Sequence, residues 1–141
     1  MSMAFLRVSG PGWDVDAFLR DHGWATTVPS WRSNEPRAGG IKTRAGFNFP
    51  ITPLAANMNN AEAASHIGQW LLTNRGALEA LGPAGAKAQL TVAVDVVGSG
   101  EFPPKSLVLG ATDLALLGKC GIELVLTAYE QTHDFRFDKR F

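Results

Sequence analysis

Hydrophobic positions follow two different periods along this chain, and the clearest switch between them lies in its last third. Leu90, Val92, Val94 and Val96 alternate with Thr91, Ala93 and Asp95, and Ile122, Leu124, Leu126 and Ala128 alternate with Glu123 and Thr127. Between the two runs, around Asp113 to Lys119, the spacing turns helical. That succession predicts two sheet strands joined by a helix that covers the sheet.

The same reading extends upstream. Ala4 to Ser9 is a short apolar strand stopped by Gly10-Pro11-Gly12. Asp14 is then a good N-cap, with Val15, Phe18 and Leu19 on one apolar face and Gly23 placed to end the helix in the left-handed conformation. Trp24 to Trp31 reads as a second strand weakened by Pro29, Ser30 to Gly46 as a loop or hairpin extension, and Phe47 to Thr52 as a third strand. Asn60 is placed to cap the longest helix, whose apolar face is Ala64, Ile67, Leu71, Leu78 and Leu81, with Trp70 beside it. Gly76 should break or bend that helix, and Gly82-Pro83 should end it.

The predicted order is strand, helix, strand, strand, helix, strand, helix, strand. It specifies an α+β fold: a ferredoxin-like-type sheet, antiparallel or mixed, with about three helices packed mainly on one face. Residues 1–141 fit a single domain with its core at about 4–130, and 131–141 read as a tail or a strand extension.

As a whole the chain resembles the small bacterial family known as domain of unknown function 4279. The opening strand with its Asp-capped helix carries the likeness, together with the Pro29-Ser30-Trp31-Arg32 stretch and the long helix with Ile67, Leu71 and Leu72. So do Leu117-Gly118 running into Gly121-Ile122-Glu123-Leu124, and the closing Leu126-Thr127-Ala128-Tyr129. The chain departs from the family pattern in having Phe47 and Phe49 where that family's strand holds a tryptophan. The resemblance implies a compact α+β domain of unknown function and brings no catalytic residue.

Composition narrows the function classes. The hydrophobic fraction of 45% against a charged fraction of 18% belongs to a globular protein. Thirteen basic residues balance thirteen acidic ones, so no global field draws in nucleic acid or an anionic membrane. There is no apolar leader at Met1 to Arg7 and no apolar run near the ~20 residues that span a bilayer, so a cytoplasmic location is expected. The single Cys120 has no partner for an internal disulfide; a small buried thiol is the ordinary reading, and a low-pKa thiol beside Lys119 the sharper one.

Little in the chain points to catalysis. His22, His66 and His133 are far apart without metal-ligand spacing, so no metal and no cofactor are expected. No Gly-x-Ser-x-Gly elbow occurs, and Gly98-Ser99-Gly100 lacks the Gly-Lys-Ser/Thr ending of a phosphate-binding loop. Asp14 and Asp16 suit a helix start better than acid–base work.

The one local charge asymmetry lies between Trp31 and Arg44. There Arg32, Arg37, Lys42 and Arg44 face a single acid, Glu35. An ordinary charged loop explains this; the functional alternative is an anion or partner surface of Trp31, Arg32, Arg37 and Arg44, with Arg forks as bidentate donors and Trp31 as a stacking face. RNA binding on the sheet needs aromatics alternating along central strands, and the strand from Leu90 has none while the last has only Tyr129. The expected function is therefore a non-enzymatic binding or protein-interaction module, of immunity type for instance, meeting a protein partner or a second copy through a sheet edge. The alternative is a small enzyme or ligand-binding domain using a cleft beside the Trp31–Arg44 segment.

Overall fold

In order along the chain, the elements are β1 (Met3–Gly10), α1 (Val15–Asp21), β2 (Ser30–Trp31), β3 (Pro36–Arg37), β4 (Gly40–Ile41) and β5 (Ala45–Pro50). Then come α2 (Asn60–Thr73), α3 (Arg75–Glu79), β6 (Lys87–Asp95), α4 (Ala111–Lys119) and β7 (Ile122–Tyr129). The structure, a computed structural model, describes residues 3–24, 28–32, 36–37, 40–41, 44–51, 59–95 and 106–129.

The sheet runs β2-β5-β1-β6-β7, and β3 with β4 forms a separate two-stranded hairpin. β1 is antiparallel to both neighbours, with Val8 opposite Phe47 of β5 and Leu6 opposite Leu90 of β6. β2 is antiparallel to β5, and β7 is parallel to β6 across the α4 connection. The strands β2, β5, β1 and β6 with α1 and α2 reproduce the ferredoxin-like order expected from the sequence. α4 and β7 add a parallel edge strand, so the sheet is mixed.

Alternation along the strands decides which face is covered. Ala4, Leu6 and Val8 of β1, Phe47 of β5, and Ala88, Leu90, Val92 and Val94 of β6 are buried on one face. Helix residues Val15, Phe18, Leu19, Ile67, Leu71, Leu78 and Leu117 complete one continuous core against them. An aromatic group lies within it. Phe47 sits 5.8 Å from Trp24, 6.1 Å from Phe18 and 6.2 Å from Trp13, ring centre to ring centre. Trp70, half-buried on α2, extends the group to Phe49 at 5.1 Å and to Trp24 at 5.9 Å. Trp13 also donates its indole N–H to the Ala45 carbonyl at 2.7 Å, so Trp13 and Trp24, on either side of α1, tie the helix to the sheet.

Several local expectations need correction. The long helix is capped by Asn59, one residue earlier than Asn60. Asn59 accepts from the Glu62 N–H at 2.8 Å and its own N–H donates to the Glu62 carboxylate at 3.0 Å, a reciprocal box that needs a glutamate three residues on. The break falls at Asn74, whose side-chain amide and backbone N–H both return to the Trp70 carbonyl. Gly76 lies inside α3, which makes four helices among the described residues where about three were expected. Among the described residues the second strand covers Ser30–Trp31; Trp24 is held by its N–H on the Leu19 carbonyl at 2.7 Å, next to Gly23 at φ +74°. The stretches 52–58, 96–105 and 130–141 lie outside the described residues, and with them the Gly98–Gly100 loop, His133 and the tail.

Candidate functional site

The face of the sheet turned away from the helices is built from the odd-numbered residues of β1 and β6 and the even-numbered ones of β5. Strand register sets them in rows. One row reads Trp31, Gly46, Ser9 and Lys87, and the next reads Asn48, Arg7, Gln89 and Glu123. Where the rows meet the sheet's end they enclose an open concavity of about 450 Å³, lined by Arg7, Ser9, Arg44, Lys87, Gln89 and Glu123 among others.

Each polar side chain here has a visible reason for its position. The Arg7 guanidinium lies over the Trp31 ring, 5.3 Å from its centre, a cation–π contact between β1 and β2. The ring can lie flat there because position 46 is glycine: a Cβ at Gly46 would come within 2.8 Å of Trp31 Cζ2. Arg44, just before β5, donates from Nε to the Ser9 hydroxyl at 3.3 Å and from its terminal nitrogen to the Ser9 carbonyl at 3.4 Å. Gln89 donates to the Glu123 carboxylate at 3.0 Å across the β6–β7 pair. Asn48, opposite Arg7, has a buried Oδ1 with no hydrogen-bond partner among the described residues.

The four residues singled out from the sequence are not brought together as a set. Trp31 and Arg44 border this face. Arg32 turns to the helix layer, where it forms a bidentate ion pair with Asp16 of α1, its Nε 2.7 Å from Oδ2 and its terminal nitrogen on Oδ1. That hydrogen bond is the main cause holding the Asp16 carboxyl below its ordinary range, assisted by the Arg32 and Arg20 charges against desolvation. Arg37 stands on β3 opposite Gly40 in the small hairpin, outside the five-stranded sheet, and its side chain lies outside the described residues. Lys42 and Glu35 do as well. The residues missed were Arg7, Ser9, Lys87, Gln89 and Glu123. Their signal was present in the alternation itself: each is an outward position of a strand whose inward positions are apolar.

No protein family, curated protein or solved structure matches this chain. The site therefore has to be read from its own chemistry.

Two other places bear on that reading. Glu79 of α3 accepts from Arg75 Nε at 3.1 Å and from Lys119 Nζ of α4 at 3.3 Å. These two hydrogen bonds, Arg75 first, hold its carboxyl below the ordinary glutamate range. Cys120 follows α4 nearby. Burial, with the Glu79 charge second, pushes its thiol up, which overturns the low-pKa reading: the pull of Lys119 is the smaller influence. Among the described residues, no three His, Cys, Asp or Glu side chains gather closely enough to hold a metal ion.

The outer edge of β7 is the second feature. Ile122 is buried, but Leu124 and Leu126, on the same helix-side face, are 37% and 56% exposed. Leu114 of α4 is 47% exposed. Among the described residues no strand pairs with this edge. β7 is an edge of the five-stranded sheet, covered at Ile122 and open at Leu124 and Leu126. No helix among the described residues is long and apolar enough to cross a membrane.

Proposed function

We propose that this chain is a non-enzymatic protein-interaction module that works through the edge of β7, and that the partner it meets there is a second copy. The observation that carries this reading is the pair Leu124 and Leu126, uncovered on an eight-residue edge strand. A long apolar edge is a template for strand addition. Antiparallel pairing about a two-fold axis, with both helix layers on one side, can set Leu124 of one copy against Leu126 of the other. Glu123 then opposes Thr127, so no like charges meet.

The magnitudes favour a reversible complex. Together the exposed parts of the two leucines equal about one whole side chain per copy, or roughly 3–6 kcal/mol per dimer at about 1.5–3 kcal/mol for each leucine equivalent. Ladder hydrogen bonds add about 1 kcal/mol each, against an association cost of about 4–15 kcal/mol. Light scattering across a concentration series should show a weight-average mass rising from one chain toward two, and Leu126→Lys should return it to one. A wild-type chain that stays monomeric at about millimolar concentration refutes self-association.

Two further elements belong to this reading. The resemblance of residues 4–130 to domain of unknown function 4279 is carried forward as a proposal, supported by the α+β order of elements. An immunity-type role and a cytoplasmic, bacterial setting are likewise proposals, consistent with a small domain that acts by holding another protein. The alternative, a ligand-binding domain beside the Trp31–Arg44 segment, is favoured by one observation: Arg44 and Arg7 border the concavity on the sheet face turned away from the helices.

A further inference from the structure

The described acidic side chains of this neutral chain are concentrated in one layer, alongside Arg20, Arg32, Arg75 and Lys119. Of the acidic side chains described, Asp14, Asp16, Asp21, Glu62, Glu79 and Asp113 all belong to the helices or their caps, and only Glu123 lies on the opposite face of the sheet. Arg7, Arg44 and Lys87 share the wall of one concavity with it. Each approaches from a different strand or strand entry: Arg7 from β1, Lys87 from the first position of β6, Arg44 from the residue before β5. None of the three forms an ion pair with a carboxylate among the described residues. Arg44 is bonded only to neutral Ser9 atoms, Arg7 is stacked on Trp31, and Glu123 is engaged by Gln89.

We propose that this concavity is a binding site for a small phosphorylated molecule, with the phosphate held by Arg7, Arg44 and Lys87. Three cations arriving from separate strands fit an oxyanion with at least three oxygens and two negative charges, whereas a planar carboxylate offers two oxygens and one charge. Two of the donors are already positioned, Arg7 by the Trp31 ring and Arg44 by Ser9, which lowers the ordering cost of binding. Ser9 carries a short side chain here and Gly121 none, while Ala86 and Ala88 belong to the core, so a ligand can approach the backbone. At about 450 Å³, the space matches a small molecule rather than a track for a polymer.

The proposal is independent of the β7 edge, so either can fail alone. Its test is titration of the full chain with inorganic phosphate at low salt, followed by amide shifts in a heteronuclear NMR spectrum. Saturable shifts are expected at Ser9, Lys87, Gln89 and Gly121. The shifts should weaken as salt rises. Arg7→Gln, Arg44→Gln and Lys87→Gln should each weaken binding about five- to tenfold, and Lys87→Arg should restore most of it. Arg75→Gln, on the helix layer, should bind as wild type does. Non-saturable shifts, shifts spread evenly over both faces, acetate binding as tightly as phosphate, or unchanged binding in the triple glutamine variant would overturn the proposal. So would a single-stranded oligothymidylate that binds more than about a hundredfold tighter than phosphate, since the surface would then follow a polymer backbone.

Discussion

Replacing Phe47 by alanine should be among the most damaging single changes in this protein. Phe47 is fully buried at the middle of β5 and touches Trp13, Phe18 and Trp24, which come from the start of α1, from α1 itself and from the segment after it. Removing a buried phenylalanine ring costs about 3–5 kcal/mol through lost transfer energy and the cavity left behind. The ring pairs, each about 0.5–1.5 kcal/mol beyond area, push this site toward the upper part of that range rather than adding to it. About 4 kcal/mol is therefore expected, against a total stability of about 5–15 kcal/mol for a domain. For a chain of this length that is roughly 8–16 °C in Tm. Phe47→Leu keeps most of the apolar volume and forfeits the ring geometry, so about 1–1.5 kcal/mol should be lost. Urea unfolding followed by far-ultraviolet circular dichroism measures both, with an unchanged slope showing that the denatured state is not altered. An alanine variant losing less than about 1 kcal/mol, or a leucine variant losing as much as alanine, would refute the account of this cluster as the joint between α1 and the sheet.

Two further outcomes follow from the helices. Asn59→Ala removes the side-chain half of the box that starts α2, leaving the residue-59 backbone N–H to the Glu62 carboxylate, and should lower the urea midpoint by the equivalent of about 1 kcal/mol, while Asn60→Ala, tested alongside, should leave the N-terminal box intact. Glu79 is ionised more readily in the folded chain than at its ordinary value of 4.5, so its contribution is present above that pH and is lost as pH falls through the lowered folded value; a stability–pH curve for Glu79→Gln should be flatter than wild type across that acid window, and an identical curve would refute the coupling of α3 to α4.

How much of this was legible beforehand depends on the range of the information each feature needs. The core of α2 was readable because Ile67 and Leu71 are one helical turn apart, and the β1 and β6 faces were readable because period two survives in Leu6-Arg7-Val8 and in Leu90-Thr91-Val92. The concavity on the open face of the sheet was not. Arg7 meets Gln89, and Ser9 meets Lys87, only through a register between strands about eighty residues apart, and nothing local encodes that pairing. The Trp31–Arg44 asymmetry attracted notice because its charges are adjacent in the chain. Folding separates them: Asp16 takes Arg32 to the helix layer, while Ser9 takes Arg44 to the opposite side. Density of charge along a loop is therefore a weaker guide here than the outward positions of the strands.

The position of β1 has a consequence for how the protein is made. It is the earliest strand of the chain and the central one in space, and its two flanks are closed only by β5 and β6, the latter ending about 85 residues after β1 does. At roughly 5–20 residues per second, a ribosome needs several seconds to deliver that second flank. During that interval Leu6 and Val8 sit on a nascent strand with an open side, the kind of segment chaperones engage. Speeding or slowing translation between residues 50 and 87 should therefore alter the yield of folded protein without altering the protein itself.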